Sequence, residues 1–227
     1  MYYWNRPNFE GLSKLAEELD GDAHLRLVAS YCRYRQKGLR REAFSALERF
    51  LVTARSFDTA AARAATVKIL ELNARTSEAH QFLTHPLLTR FLVPTLSKWM
   101  DDEPAASTPI RWLGMILQDS GLLEKALSMR PEDTPVRKRL IESDLSLADY
   151  ATHHLDESHF IGSLDEVIAA LAHARGLIAD APEPEALAHL LSEVHYYDAQ
   201  IADWIAYSDN PLGSFPEWCT KQRGKYH

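Results

Sequence analysis

The chain of 227 residues is 46% apolar and 25% charged, the balance of a globular protein with a sizeable core. Its net charge of −7 argues against nucleic acid as a partner, and no run approaches the roughly 18 apolar residues of a membrane span. Cys32 and Cys219 lie far apart with no CxxC pair, and MYYWNRPNFEG lacks the features of a signal peptide. These features fit a soluble protein of the reducing cytoplasm.

In chain order, Tyr2, Tyr3 and Trp4 form an aromatic cluster suited to packing on a neighbouring helix. A first helix carries Phe9, Leu12, Leu15 and Leu19 on one face and closes at Asp20-Gly21. Asp22 is read as the cap of a second helix bearing Leu25, Val28, Tyr31 and Cys32, which ends near Gly38. Its partner holds Ala43, Ala46, Leu47 and Phe50. Asp58 caps the fourth, with Ala62, Ala65, Ile69 and Leu72 as its stripe. Thr76 and Glu78 read as the start of a short helix through Phe82 and Leu83, broken by His85-Pro86. The next helix carries Leu88, Phe91, Leu92, Leu96 and Trp99, and Pro94 should kink or split it.

DDEPAAS (101–107) has little to bury and reads as a linker. Thr108-Pro109 and Thr134-Pro135 each read as a helix start, the hydroxyl capping and the proline at the first turn. Between them, Trp112, Leu113, Ile116 and Leu117 mark one short helix and Leu122, Leu123, Ala126 and Leu127 another, stopped by Pro131. A long helix follows, with Val136, Leu140, Ile141, Leu145, Leu147, Tyr150, Ala151 and Leu155 as its apolar set. Ser163 with Glu166 forms a capping-box pattern ahead of Val167, Leu171, Ala174 and Ile178. The last long helix carries Leu187, Leu190, Val194, Tyr197, Ile201 and Trp204. The tail after Tyr207 reads as irregular, pinned by Phe215 and Trp218. The domain reading is an N-terminal helical subdomain over 1–100, a C-terminal one over 108–207, and a tail over 208–227. The fold class is all-α, about ten helices of ordinary length arranged as antiparallel pairs.

Leu113-Gly114, Glu124-Lys-Ala126-Leu127 and Pro131 resemble the tetratricopeptide (TPR) helix-pair repeat, although Pro131 comes about seven residues early for its period of about 34. A second partial match is Leu27, Tyr34, Gly38, Ala43 and Leu47. The resemblance implies a stacked TPR-like array and a protein–protein interaction or adaptor role, with a protein or peptide as partner.

Two constellations carry chemistry. Arg33, Arg35, Lys37, Arg40 and Arg41 place five cations in nine residues, and the expected binding set for an anionic segment is Arg33, Lys37, Arg40 and Arg41. The alternative is a metal-binding or hydrolytic helical bundle centred on His153, His154, Glu157 and His159, although no HExxH spacing is present. Glu185, His189 and Glu193 read as a solvated helix face, His195 and Asp198 as an i, i+3 pair, and Cys32 as a core residue. Walker, GxGxxG and GxSxG sequences are missing, so no cofactor is expected.

Overall fold

The computed structural model describes residues 6–76, 79 and 81–223, and every regular element among them is helical. The chain forms two compact units, Met1–Leu113 and Gly114–His227. The division falls inside a helix just downstream of DDEPAAS. No helix among the described residues is long and apolar enough to cross a membrane. The aromatic cluster Tyr2, Tyr3 and Trp4 lies outside the described residues.

In the first unit, α1 (Arg6–Asp20) packs on α2 (Arg26–Gln36), and α2 packs on α3 (Arg40–Ala54). Only Lys37, Gly38 and Leu39 separate α2 from α3, and Gly38 turns the chain at φ +72°, where lack of a Cβ removes the steric cost. Leu12, Leu15, Leu19, Val28, Tyr31, Cys32, Leu47 and Phe50 are buried, as the periodicity predicts. Asp22 does not cap α2 itself; it accepts the amide of His24 in the turn ahead.

The chain continues through α4 (Thr59–Arg75), α5 (His85–Leu87), a π turn (Leu88–Leu92), α6 (Val93–Asp102) and α7 (Ser107–Leu117). Asp58 caps α4 as expected, accepting the Ala61 amide at 2.7 Å. Thr76 sits instead at the C-terminal end of α4, and residues 81–84 are not helical; Glu78 lies outside the described residues. Ahead of Pro94 the helical run changes geometry, passing from α5 through the π turn into α6. The Val93 amide reaches back five residues to the Leu88 carbonyl, and this wider turn comes just where a proline ring would otherwise strike the turn before it.

DDEPAAS is less open than its composition suggests. Asp101 and Asp102 still belong to α6, and Arg63 holds both Asp102 (3.1 Å) and Glu103 (2.5 Å) while lying 4.9 Å over the Trp99 ring. Trp112 is buried, with the Arg111 guanidinium 4.2 Å above it.

The second unit holds the end of α7, α8 (Ser120–Met129), α9 (Thr134–Thr152), α10 (Leu164–Ala179), α11 (Ala188–Asp209) and α12 (Phe215–Arg223). A short 3-10 turn, Leu155–Glu157, follows α9. The caps differ from the Thr-Pro reading. Asp133 accepts the Val136 amide and Asp119 the Leu122 amide, while Thr108 and Thr134 lie inside their helices. A carboxylate at a helix N-terminus serves the exposed amides and the helix dipole together. Gly114 lets α7 meet α8 at a corner, for a Cβ there would stand 2.9 Å from the Leu123 side chain.

Helices α9, α10 and α11 pack mutually around Ile141, Leu145, Val167, Leu171, Ile178, Leu190, Val194 and Ile201. Leu147 and Tyr150 depart from the predicted apolar set. They stand 38% and 62% exposed, because the stripe that faces the bundle runs Ile141, Leu145, Ala148, Thr152. Within the tail, residues 215–223 are helical where irregular chain was expected: α12 docks through buried Phe215 against Tyr207, Trp204 and Leu155, and the Phe215 amide donates to Ser158 Oγ at 2.8 Å.

Arg137 lies on that buried stripe of α9, only 4% exposed. Its guanidinium donates to the Leu177 carbonyl at 2.8 Å and the Pro131 carbonyl at 2.7 Å. Leu177 is in the last turn of α10, where a carbonyl has no partner within its own helix, and the Ala181 amide goes to Ile178 instead. Arg137→Ala should destabilise the unit by about 2–4 kcal/mol, since it removes a buried side chain and two part-buried hydrogen bonds to main-chain carbonyls. Arg137→Met, which keeps the stem, should recover part of that loss. Urea unfolding of both variants checks this; a loss below about 1 kcal/mol in Arg137→Ala would contradict the assignment.

Candidate functional site: a basic depression on the α2–α3 hairpin

From Arg33 to Arg55 the chain carries seven basic and two acidic residues, net +5 in a protein of net −7. Folding sorts these cations. Arg33 is taken: its guanidinium holds Asp20 at 2.9 Å. That hydrogen bond keeps the Asp20 carboxyl below its ordinary value. Arg35 donates to Gln81 Oε1 at 3.1 Å and lies over the Tyr31 ring, and Arg40 lies over Phe44, each with 5.9 Å to the centroid. Lys37 is exposed at the C-terminal cap of α2.

Arg41 stands elsewhere, on the wall of a shallow depression of about 330 Å³ with Tyr34, Glu42, Ser45, Ala46 and Arg49. Arg41, Ser45 and Arg49 are spaced i, i+4, i+8 on α3 and so share a face, with Arg41 and Arg49 about 12 Å apart along the axis at 1.5 Å per residue. Neither guanidinium has a carboxylate partner among the described residues, although both are exposed. By contrast Glu48, one residue from Arg49, is held by Arg90 at 2.6 and 2.8 Å, and that bidentate bond keeps its carboxyl low. Tyr34, 37% exposed, supplies an aromatic edge.

Of the four predicted binding residues, the structure therefore brings only Arg41 to the depression. Arg49 belongs to the site and was outside the sequence set. Its signal was the i+8 spacing from Arg41 rather than membership of the dense run.

The histidine cluster is also partly rearranged. His154, Asp156 and Glu157 bring one ligand atom each to within 4.8 Å of one another, at the end of α9 and along the 3-10 turn. His154 Nδ1 lies 3.1 Å from Glu157 Oε1. His153 is exposed at the C-cap position of α9, with its ring 5.0 Å from that of His154, and it stands outside the ligand group, as does His159.

Other titratable groups act as staples between helices. His173 meets Asp144 at 2.8 Å, and burial raises the Asp144 carboxyl despite that neighbour. Tyr197 donates to Asp149 at 3.0 Å; burial, then the carboxylate, push the phenol up to about 12. Asp198 does not pair with His195; it takes Arg175. Glu185, His189 and Glu193 are all exposed, as read from the sequence. Cys32 is fully buried and its thiol is pushed up to about 12, so it is not a nucleophile at neutral pH. No protein-family model, curated protein or solved structure matches this chain.

The division of labour among the arginines is measurable. In Arg33→Ala the Asp20 carboxyl should return to the ordinary aspartate range, followed by carboxyl NMR titration. In the wild type the pair's contribution is present at neutral pH and is lost as pH falls through the lowered Asp20 value. An Asp20 titration indifferent to Arg33→Ala would show that Arg33 is as uncommitted as Arg41.

Proposed function

We propose that the protein is a protein-binding module of the cytoplasm whose α2–α3 hairpin holds an acidic segment of a protein partner in the Arg41–Arg49 depression. The observation that carries this reading is the pair of arginines that face one concavity without a carboxylate of their own. Three other arginines of the same unit, Arg33, Arg75 and Arg90, are matched to Asp20, Glu18 and Glu48. Two guanidinium groups on one face favour carboxylates, which they can grip with paired hydrogen bonds. Tyr34 adds a stacking surface at low entropic cost.

The α2–α3 pair also supports the TPR-like reading, because short helices joined by a glycine turn present a side-chain row on a rigid hairpin. At about 12 Å the two arginines suit carboxylates some four residues apart on an extended peptide, at about 3.3 Å per residue. Glu42 on the rim would disfavour a uniformly acidic ligand directly over it, which adds selectivity.

A fluorescent oligoglutamate peptide serves as probe. It should bind the wild-type protein with an affinity that falls as salt rises. Reversal of both charges in Arg41→Glu/Arg49→Glu should weaken it roughly tenfold or more, whereas Arg33→Ala should leave it nearly unchanged. Binding that ignores the double reversal, or that depends on Arg33 instead, would defeat the reading.

A further inference from the structure

The second unit concentrates negative charge to an unusual degree. Between residues 140 and 220 there are fifteen aspartates and glutamates and a single base, Arg175, together with six of the ten histidines. Most of these carboxylates are scattered singly over exposed helix faces, and several are tied to named partners. At the turn that closes α9, an imidazole and two carboxylates instead converge. We infer that His154, Asp156 and Glu157 form a binding site for a divalent transition metal of the zinc class.

The donor set selects the metal. Calcium and magnesium take oxygen ligands, whereas one imidazole with two carboxylates is the mixed set of zinc and its neighbours. Bonds of about 2.0–2.2 Å place donors on one tetrahedral ion roughly 3.4 Å apart. The three donor atoms already lie within 4.8 Å of one another, so a closure of about 1 Å or slightly more would bring them to that spacing. Three protein ligands leave the fourth position to water or to a group from outside the chain.

The seat is held from below. Leu155 is buried under the turn, and the His159 and Glu157 amides both donate to the His154 carbonyl at 3.0 Å. Ser158 adopts the left-handed region at φ +59°, and its hydroxyl accepts the Phe215 amide, so the turn is fastened to α12. The Glu157 amide donates to one Asp156 oxygen at 3.0 Å and leaves the other for a metal. Such an outer contact fixes the orientation of a ligand. The surrounding carboxylates raise the local concentration of cations. His153 and His159, which belong to the same run of sequence, are not ligands in this arrangement.

Zinc titration of chelator-treated full-length protein, followed by calorimetry at neutral pH, tests the site. One saturable zinc site per chain is expected. His154→Ala and Asp156→Asn should each weaken it tenfold or more, with helicity by circular dichroism unchanged to show that the variants fold. His159→Ala and His189→Ala should leave it intact. The absence of saturable zinc binding, insensitivity to His154→Ala, or equal loss in His159→Ala would overturn the inference. Saturation by calcium in place of zinc, with the same variants affected, would overturn the assigned metal class.

Discussion

A charge enclosed by helices must find acceptors there, and Arg137 is where the C-terminal unit meets that demand. Its position on the apolar stripe of α9 carries a guanidinium into the interior. The group is tolerated because two main-chain carbonyls need donors. One, Leu177, belongs to the end of α10, where a cation also suits the helix dipole. The other, Pro131, belongs to the loop that introduces α9. One side chain thus fixes the start of α9 against the end of α10. Ile141, Leu145, Ala148 and Ala151 continue the buried face of α9 beyond Arg137. Nε of Arg137 is buried without a partner, so the clamp carries a cost that its two carbonyl bonds must exceed.

Pairing of a different kind governs the surface of the N-terminal unit. Each carboxylate near the helical hairpin that finds an arginine removes one cation from those a ligand could use. Asp20 takes Arg33, Glu48 takes Arg90, and Asp102 with Glu103 takes Arg63. Exposed pairs of this type contribute little to stability. Their effect is on selectivity, because they decide which face keeps uncompensated positive charge. Arg41 and Arg49 are among the exposed cations left without a carboxylate, and they share one concavity. The C-terminal unit carries the opposite balance, and among its described residues two carboxylates meet an imidazole at the 3-10 turn after α9.

Helix existence was legible because periodicity and breakers report on the same burial that folding satisfies. Asp58 as a cap, Cys32 as core and Phe215 as an anchor all follow from local chemistry. Features that depend on tertiary partners were not legible. Thr134-Pro135 looks like a cap, but Asp133 one residue earlier offers the better acceptor. Tyr150 fits the apolar spacing of α9, yet the bundle covers the neighbouring stripe. The tail composition reads as irregular, while residues 215–223 form a helix whose Phe215 and Trp218 pack with Tyr207. In the basic run, density of charge drew attention to Arg33, whose partner Asp20 lies on another helix and cannot be read from spacing. Arg49 was hidden for the converse reason: it stands apart from the run in sequence and shares a face with Arg41 only once α3 forms.

The claim that Arg41 and Arg49 are the receptor arginines has a direct test in side-chain NMR of the arginine Nε–H groups. On addition of oligoglutamate, the resonances of Arg41 and Arg49 should shift together and saturate at one peptide per chain, while those of Arg33, Arg63 and Arg90 stay in place. Shifts confined to Arg33 and its neighbours, or spread evenly over every exposed arginine, would contradict the account.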